Sequence, residues 1–190
     1  MIATFLRGEW RSSRFGARLQ EAARELDIAE DLIARPDTAD AVQNALRNEL
    51  LVRFRGWGQY ESVFGGLPAD DVLWYEADLD HDALHRVEYI QWWIDQGLVT
   101  DRRVAVAVES MRARWRTDPD FEPHRAVVAE CKRGRPPVSP ILVTDQRMER
   151  YVILEGHLRM TAYLLAVTAL PPRVPVLLGV SGRIAEWSEW

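Results

Sequence analysis

Apolar residues recur every three to four positions through the first third of the chain, which is the spacing of an amphipathic helix. The first stripe ends before Pro36 and consists of Leu19, Ala22, Leu26, Ala29 and Ile33. The second stripe follows Thr38, a residue that could cap a helix, and consists of Val42, Leu46 and Leu50. The pattern predicts two helices before the glycine-rich segment that starts at residue 56.

Short branched and aromatic runs replace this pattern in the remainder of the chain. They predict strands over VLWYEADL, PVSPILVT, YVILE and RVPVLLGV. Helical spacing returns between the strands, and predicts helices from Asp80 or Asp82 to Gly97, from Thr100 onward, from Pro123 to Gly134, and over GHLRMTAYLLAV. The last segment, SGRIAEWSEW, could form a short helix capped by Ser181, with its tryptophans docked on the body.

Alternation of short apolar strands with helices predicts an α/β (α+β) domain with a small mixed sheet and buried strands. We expect residues 1–70 to form a helical N-terminal extension and residues 71–190 to form the sheet-containing domain. Aromatic residues among glycines at 56–68 indicate an ordered loop that plugs the core. If this segment and RGEWRSSRFG at residues 7–16 form a lid instead, Arg11, Arg14 and Trp57 would contact a substrate.

Composition narrows the possible classes of protein. Of the 190 residues, 47% are hydrophobic, which excludes extended disorder, and the net charge of -5 disfavours nucleic acid as a partner. The single cysteine, Cys131, excludes an internal disulfide and a cysteine-rich zinc site. No apolar run approaches the roughly 20 residues that span a bilayer, and the N-terminus lacks the block of a signal peptide. We therefore expect a cytoplasmic protein without a membrane partner.

The stretch YVILEGHLRMTAYLLA carries the most informative chemistry. A predicted strand ending at Glu155 turns at Gly156 directly into a helix, whose first N–H groups and dipole attract an anion. Arg159 can form forked bonds to phosphate oxygens, and His157 supplies a donor or a proton-transfer group. Thr161 could contact the same ligand or bond back to its own helix. The alternative is an ordinary capped helix with solvated polar residues.

The order PPVSPILVT, YVILEGHLRMTAYLLA, VPVLLGV resembles the ParB/sulfiredoxin-like superfamily, in which a D/E-G-H-x-R type box opens a helix after a strand. The similarity covers roughly residues 72–180 and is strongest over 138–178. This resemblance implies that Gly156, His157 and Arg159 bind the phosphates of ATP, ADP or CTP, with Glu155 and Thr161 as further cofactor-binding residues and Mg²⁺ as an accompanying cation.

Members of that superfamily differ in function, and departures from their patterns narrow the choice. Sulfiredoxins have a catalytic cysteine inside the box, whereas here His157 follows Gly156 directly. Partitioning proteins add a DNA-binding helix-turn-helix domain, for which the ten residues after the last predicted strand leave no room. The free-serine kinases have a similar box and a carboxylate after the first strand, often in a His-Glu pair, where this chain has His81 and Asp82.

The resemblance therefore implies a nucleotide-dependent phosphotransferase that acts on a small hydroxylated metabolite, with Asp82 and His157 as catalytic residues. Asp82 could instead cap its helix, which leaves Glu76 and Glu155 as alternative carboxylates; Glu155 could also hold a ribose hydroxyl or Mg²⁺. The carboxylates of Asp78, Asp80 and Asp82 could recruit the cation or only cap that helix.

Two other functions stay open at this point. The first is a non-catalytic nucleotide-binding or scaffold protein that works through a partner or as a homodimer. The second is a nucleic-acid-binding protein or nuclease, which the acidic charge disfavours.

Overall fold

The computed structural model describes residues 1–12, 15–55, 66–133, 139–169 and 171–190. They belong to two compact units, a helical one within residues 1–65 and a sheet-containing one at 66–190. The suggested lid residues Arg14 and Trp57, and the proposed plug at 56–65, lie outside the described residues. None of the helices formed by the described residues has the length and apolar character needed to cross a bilayer.

The helical unit contains α1 (Ile2–Glu9), α2 (Gly16–Glu25), α3 (Asp31–Ala34) and α4 (Ala41–Arg55). The first predicted helix is split, because Asp27 adopts a left-handed backbone with φ 52° and ends the run after α2. Asp40 rather than Thr38 caps α4, since its Oδ1 accepts the backbone N–H groups of Val42 and Gln43 at 2.8 and 3.1 Å. Arg11 is exposed and pairs with Glu30 at 3.5 Å.

Arg47 is a buried cation in the middle of this unit, with only 1% of its surface exposed. Its Nη1 donates to the carbonyl of Leu32 at 3.1 Å, and its Nη2 donates to the carbonyl of Asp37 at 2.6 Å. The same guanidinium also donates to side chains of its own helix. Arg47 therefore fixes the connection between α3 and α4 through two backbone carbonyls of that connection.

We expect Arg47→Gln to lower the free energy of unfolding by about 2 to 3 kcal/mol, because carbonyls bonded to a buried charge lose their donors. Arg53→Gln is the matched control, since Arg53 lies on the same helix, exposed, and bonds only to Glu25 among the described residues. Its loss should cost less than about 1 kcal/mol. Urea unfolding followed by circular dichroism measures the unfolding free energy of both variants. Equal losses would contradict a structural role for Arg47 between α3 and α4.

The sheet-containing unit has strands β1 (Leu73–Asp80), β2 (Val87–Glu88), β3 (Ile141–Thr144), β4 (Tyr151–Glu155) and β5 (Arg173–Val180). Its helices are α5 (His81–Leu84), α6 (Gln91–Asp95), α7 (Val104–Ala107), α8 (Glu122–Lys132) and α9 (His157–Leu165). Short 3₁₀ turns cover Val108–Met111, Pro119–Phe121, Val167–Ala169 and Ile184–Glu186. The strands predicted over YVILE and RVPVLLGV have the predicted bounds.

The strands form one mixed sheet in the order β1-β5-β3-β4-β2. β1 runs antiparallel to β5, β5 parallel to β3, β3 antiparallel to β4, and β4 parallel to β2. The prediction of a mixed α/β fold with a small mixed sheet is confirmed. β1 and β4 run in the same direction, but β5 and β3 lie between them, and Glu155 is level with Glu76 rather than with Asp80.

The single helix predicted between Asp80 or Asp82 and Gly97 is wrong. The segment forms two short helices, α5 and α6, with β2 between them. Val87 pairs with Tyr151 of β4 and is fully buried, so strand pairing outweighs the helical spacing of the apolar residues. Thr100 likewise does not begin α7, whose N-cap residue is Arg103.

The core lies where α5, α7 and α9 pack with the strands. Its members include Leu84, Val104 and Leu164 from those helices, and Leu142 and Ile153 from the strands. The apolar face of α9 thereby holds the helix against the sheet, and its first turn follows β4 after the single residue Gly156. The expected docking of the last segment is found, since Trp187 is 2% exposed.

Candidate functional site

The junction between β4 and α9 is built around Gly156. Its backbone is left-handed, with φ 98° and ψ 27°, a conformation that side chains with a Cβ rarely adopt. A Cβ placed there would lie 3.1 Å from the Cα of Pro140 and 3.1 Å from Nε of Arg159. Glycine is therefore required both by the turn and by the close approach of two neighbours.

Arg159 places a cation against this turn. Its side chain is only 14% exposed, and its Nη2 lies 3.6 Å from Oε1 of Glu155, one helical turn earlier. The N-terminal end of α9 already has a partial positive charge from its aligned peptide dipoles. Helix dipole and guanidinium therefore concentrate positive charge around Gly156, and Glu155 offsets part of it.

His157 is the first residue of α9 and is neutral. Burial, followed by the nearby charge of Arg159, lowers its pKa to about 3. The residue as a whole is half-buried, but its Nε2 is sealed from solvent and has no hydrogen-bond partner among the described residues. At neutral pH the imidazole can hydrogen-bond to a ligand, but it does not add a positive charge for phosphate.

Three flat rings lie parallel at this point. The Trp93 ring centroid is 4.8 Å from that of His157 and 4.8 Å from that of Tyr89, with interplanar angles of 7° and 4°. Tyr89 and His157 are 6.1 Å apart and within 4° of parallel. If the Trp93 ring lay between the other two, the centroids of Tyr89 and His157 would be at least about 7 Å apart, because stacked carbon atoms approach no closer than about 3.5 Å. The observed distance is shorter. Trp93 therefore lies on one side, with Tyr89 and His157 together on the other.

Thr161 supports this arrangement from inside the core. Its hydroxyl donates to the carbonyl of His157 at 2.8 Å, so the Tyr89 hydroxyl, 2.6 Å away, must be the donor to Thr161. Burial raises the pKa of Tyr89 to about 12, which keeps that hydroxyl protonated. This is the back-bonded alternative considered for Thr161, and it fixes the position of His157.

Of the carboxylates proposed for catalysis, Glu155 belongs to this junction, whereas Asp82 and Glu76 belong to the β1–α5 segment, which β5 and β3 separate from β4. Asp82 is exposed in the first turn of α5, and its carboxylate has no hydrogen bond or ion pair to another described residue. Asp80, not Asp82, caps α5 by accepting the N–H of Ala83 at 2.8 Å. The alternative Glu76 is exposed in the middle of β1, paired with Leu177.

The acidic residues of this region do not form a metal centre. Across the part of the chain that the structure describes, no three His, Cys, Asp or Glu side chains are grouped closely enough to hold a metal ion. Asp78, Asp80 and Asp82 are therefore not a ready ligand set.

Sequence reasoning missed Tyr89 and Trp93. They are four positions apart and lie within the single helix predicted between Asp80 or Asp82 and Gly97, which the structure replaces with α5, β2 and α6. The signal available was that spacing of two aromatic residues, but their contact with His157 joins segments far apart in the chain. The junction at residues 155–159 could be predicted from the sequence because the strand, the glycine and the helix follow one another directly.

The sequence matches no protein-family model, and neither a curated protein nor a solved structure shows significant similarity to it. The ParB/sulfiredoxin-like resemblance therefore stays a prediction, and the arguments about function rest on the geometry of the site.

We expect Gly156→Ala to lower the free energy of unfolding by more than Gly97→Ala. Both glycines have positive φ, at 98° and 65°, so each substitution brings left-handed strain of about 1 to 2 kcal/mol. Only the Cβ at position 156 also meets a neighbour, whereas nothing lies within 4 Å of one at position 97. That contact should increase the loss of unfolding free energy by at least about 1 kcal/mol, measured by urea unfolding. Similar losses would show that the junction is not closely packed.

A second prediction concerns pH. The pKa of folded His157 is about 3 and the ordinary value is 6.5, so between these values the unfolded chain binds more protons. The contribution of the neutral His157 imidazole to the unfolding free energy is therefore fully present above pH 6.5 and is lost as the pH falls towards 3. We expect His157→Gln to reduce this loss, measured as the slope of unfolding free energy between about pH 6.5 and 4. An unchanged slope would contradict the burial of a neutral imidazole.

Proposed function

We propose that this protein binds a nucleotide at the junction Glu155–Gly156–His157–Arg159 and transfers its terminal phosphoryl group to a small hydroxylated molecule. The observation that carries the proposal is the Arg159 guanidinium lying against the left-handed Gly156 at the N-terminus of α9. A glycine turn, helix N-terminus and forked cation together are suited to phosphate oxygens.

Charge balance at the junction supports an anion over a neutral ligand. Arg159 now faces Glu155 at 3.6 Å, a distance typical of a loose ion pair rather than a close hydrogen bond. A phosphate at the turn competes for the guanidinium with more charge and more acceptor oxygens than one carboxylate. In this arrangement Glu155 accepts a ribose hydroxyl.

Transfer requires a base that accepts the proton of the substrate hydroxyl. Asp82 is the candidate because it is exposed and Asp80 caps α5 in its place, and a substrate would have to extend across β5 and β3 to join it to the phosphate at Gly156. In the proposed step the substrate oxygen bonds to the terminal phosphorus, the bond to the leaving nucleoside diphosphate breaks, and Asp82 takes the proton. His157 contributes a hydrogen bond, because it is neutral.

Nucleotide binding without transfer is the second candidate. The observation that favours it is the sheet order, in which β5 and β3 separate β1, the strand that leads to Asp82, from β4, the strand that leads to Gly156. A protein of this kind would use the same phosphate junction but act through a partner or by self-association.

Binding is tested by thermal unfolding with ATP, ADP, CTP or inorganic triphosphate, each with Mg²⁺. A nucleotide at 100 times its Kd should stabilise the fold by about 2.7 kcal/mol. Arg159→Gln should abolish most of the shift, whereas Arg112→Gln should keep it, because Arg112 has a similar ion pair, to Glu109, but on the exposed surface after α7. If no compound raises the Tm of the wild type, nucleotide binding is wrong.

Transfer is tested by following nucleoside diphosphate release from ATP with a panel of small hydroxylated molecules. Asp82→Asn should bind ATP normally and lower the rate by about 100-fold or more, the usual contribution of a general base. Asp120→Asn, an exposed aspartate on a 3₁₀ turn, serves as the control. A wild type that binds ATP without transfer to any acceptor, or an Asp82 variant of unchanged rate, would favour the non-catalytic candidate.

A further inference from the structure

β1 is an edge strand of the sheet, and its outer side is open. Among the described residues, its eight residues pair with β5 alone. In an antiparallel pair, alternate residues direct their N–H and C=O groups away from the neighbouring strand. The main chain of Leu73–Leu79 makes no hydrogen bond to any described residue outside β5. The outer side of β1 therefore offers donors and acceptors to one further strand.

The opposite edge of the sheet is shorter and already bridged. β2 contains only Val87 and Glu88. Glu88 forms an antiparallel bridge with Arg103, and the N–H of Tyr89 donates to the carbonyl of Arg102 at 2.7 Å. Of the two edges, β1 is therefore the one with room for a partner strand.

The side chains of β1 alternate between an apolar face and an acidic face, because successive residues of a strand point to opposite sides. The apolar face continues outward from Leu79 in the core to Leu73 and Tyr75, which are 63% and 50% exposed. The other face has three exposed carboxylates, which belong to Glu76, Asp78 and Asp80. The free edge of β1 thus has a different chemical character on each side of the sheet.

These two faces determine which strand fits. Within the sheet, Glu76 and Asp78 lie beside Leu177 and Pro175 of β5, which have no charge to pair with them. The side chains of an added strand lie directly across from those of β1 on the same face, where opposite charges attract. A fitting strand therefore has basic residues on the acidic face and apolar residues on the other.

A second copy of β1 fits this edge poorly. Antiparallel pairing of two β1 strands that uses nearly the whole strand is centred on Glu76 or on Ala77. The first places Glu76 opposite its own copy, and the second places Glu76 opposite Asp78. Like charges directly opposite each other destabilise a strand pair, so the acidic face disfavours self-pairing.

We propose that β1 docks an extended segment of another protein in which basic and apolar residues alternate, added to the sheet as an outer strand. The main chain of that segment bonds to the free edge of β1. Its apolar residues cover Leu73 and Tyr75, and its lysine or arginine residues lie across from Glu76 and Asp78. This proposal is independent of nucleotide binding at Gly156.

The first test titrates the ¹⁵N-labelled protein with a synthetic peptide as long as β1, in which valine and lysine alternate. The amide resonances of β1 should shift more than those of any other segment. A peptide of the same composition with all its lysines at one end should bind several-fold more weakly, because only alternation puts every lysine on the acidic face. A peptide of alternating valine and glutamate should bind more weakly still.

The second test reverses the charge of the acidic face. The double variant Glu76→Lys, Asp78→Lys should bind the valine–glutamate peptide several-fold more tightly than the valine–lysine peptide. Asp120→Lys with Glu149→Lys makes the same change of net charge at exposed residues outside β1, and should keep the preference of the wild type. All four side chains are exposed, and circular dichroism establishes that each variant is folded.

The third test concerns the main chain. Alternate amides of an added strand face its neighbour and the others face solvent. Of two valine–lysine peptides, one N-methylated at its valines and one at its lysines, one should lose binding and the other should keep it. If both bind equally well, the peptide is held by charge alone and strand addition is wrong.

Two further results would overturn the proposal. The first is the absence of binding at millimolar valine–lysine peptide, or amide shifts that cluster outside β1. The second is a wild type that sedimentation equilibrium shows to be a dimer and that Tyr75→Lys converts to a monomer. In that case a second copy of the chain occupies the edge, and a basic partner is wrong.

Discussion

The left-handed backbone of Gly156 is the constraint on which the candidate site depends. It turns β4 into α9 within one residue, so that the last strand residue and the first helical turn share one small region. Pro140 and Arg159 lie against the position where a side chain would begin, which only glycine leaves open. The apolar face of α9 then anchors the helix in the core, and its polar first turn keeps a fixed position relative to the sheet.

Burial determines what the polar residues of that turn can do. His157 loses its proton because it lies under Trp93 and next to Arg159, and it becomes a neutral hydrogen-bonding group. Arg159 keeps the positive charge, so recognition of an anion falls to it and to the helix N-terminus. Thr161 and Tyr89 form a chain of hydrogen bonds that ends on the His157 carbonyl, and they hold the imidazole from the core side.

Features of the site that are formed by consecutive residues could be predicted from the sequence, whereas contacts between segments far apart in the chain could not. β4, Gly156 and α9 follow one another directly, and a buried strand of continuous apolar residues identifies them. The segment between α5 and α6 could not be assigned, because Val87 has the spacing of a helix but pairs with Tyr151. The cover of His157 by Trp93 was likewise hidden, since it is a tertiary contact between distant segments.

The most direct measurement of the central claim is a backbone amide NMR titration of the ¹⁵N-labelled protein with ATP and Mg²⁺. Phosphate bound at the helix N-terminus should shift the amide resonances of Gly156, His157, Leu158 and Arg159 more than any others, with saturation at a single Kd. Shifts that cluster elsewhere, or an unchanged spectrum at high ATP concentration, would contradict a phosphate site at this junction.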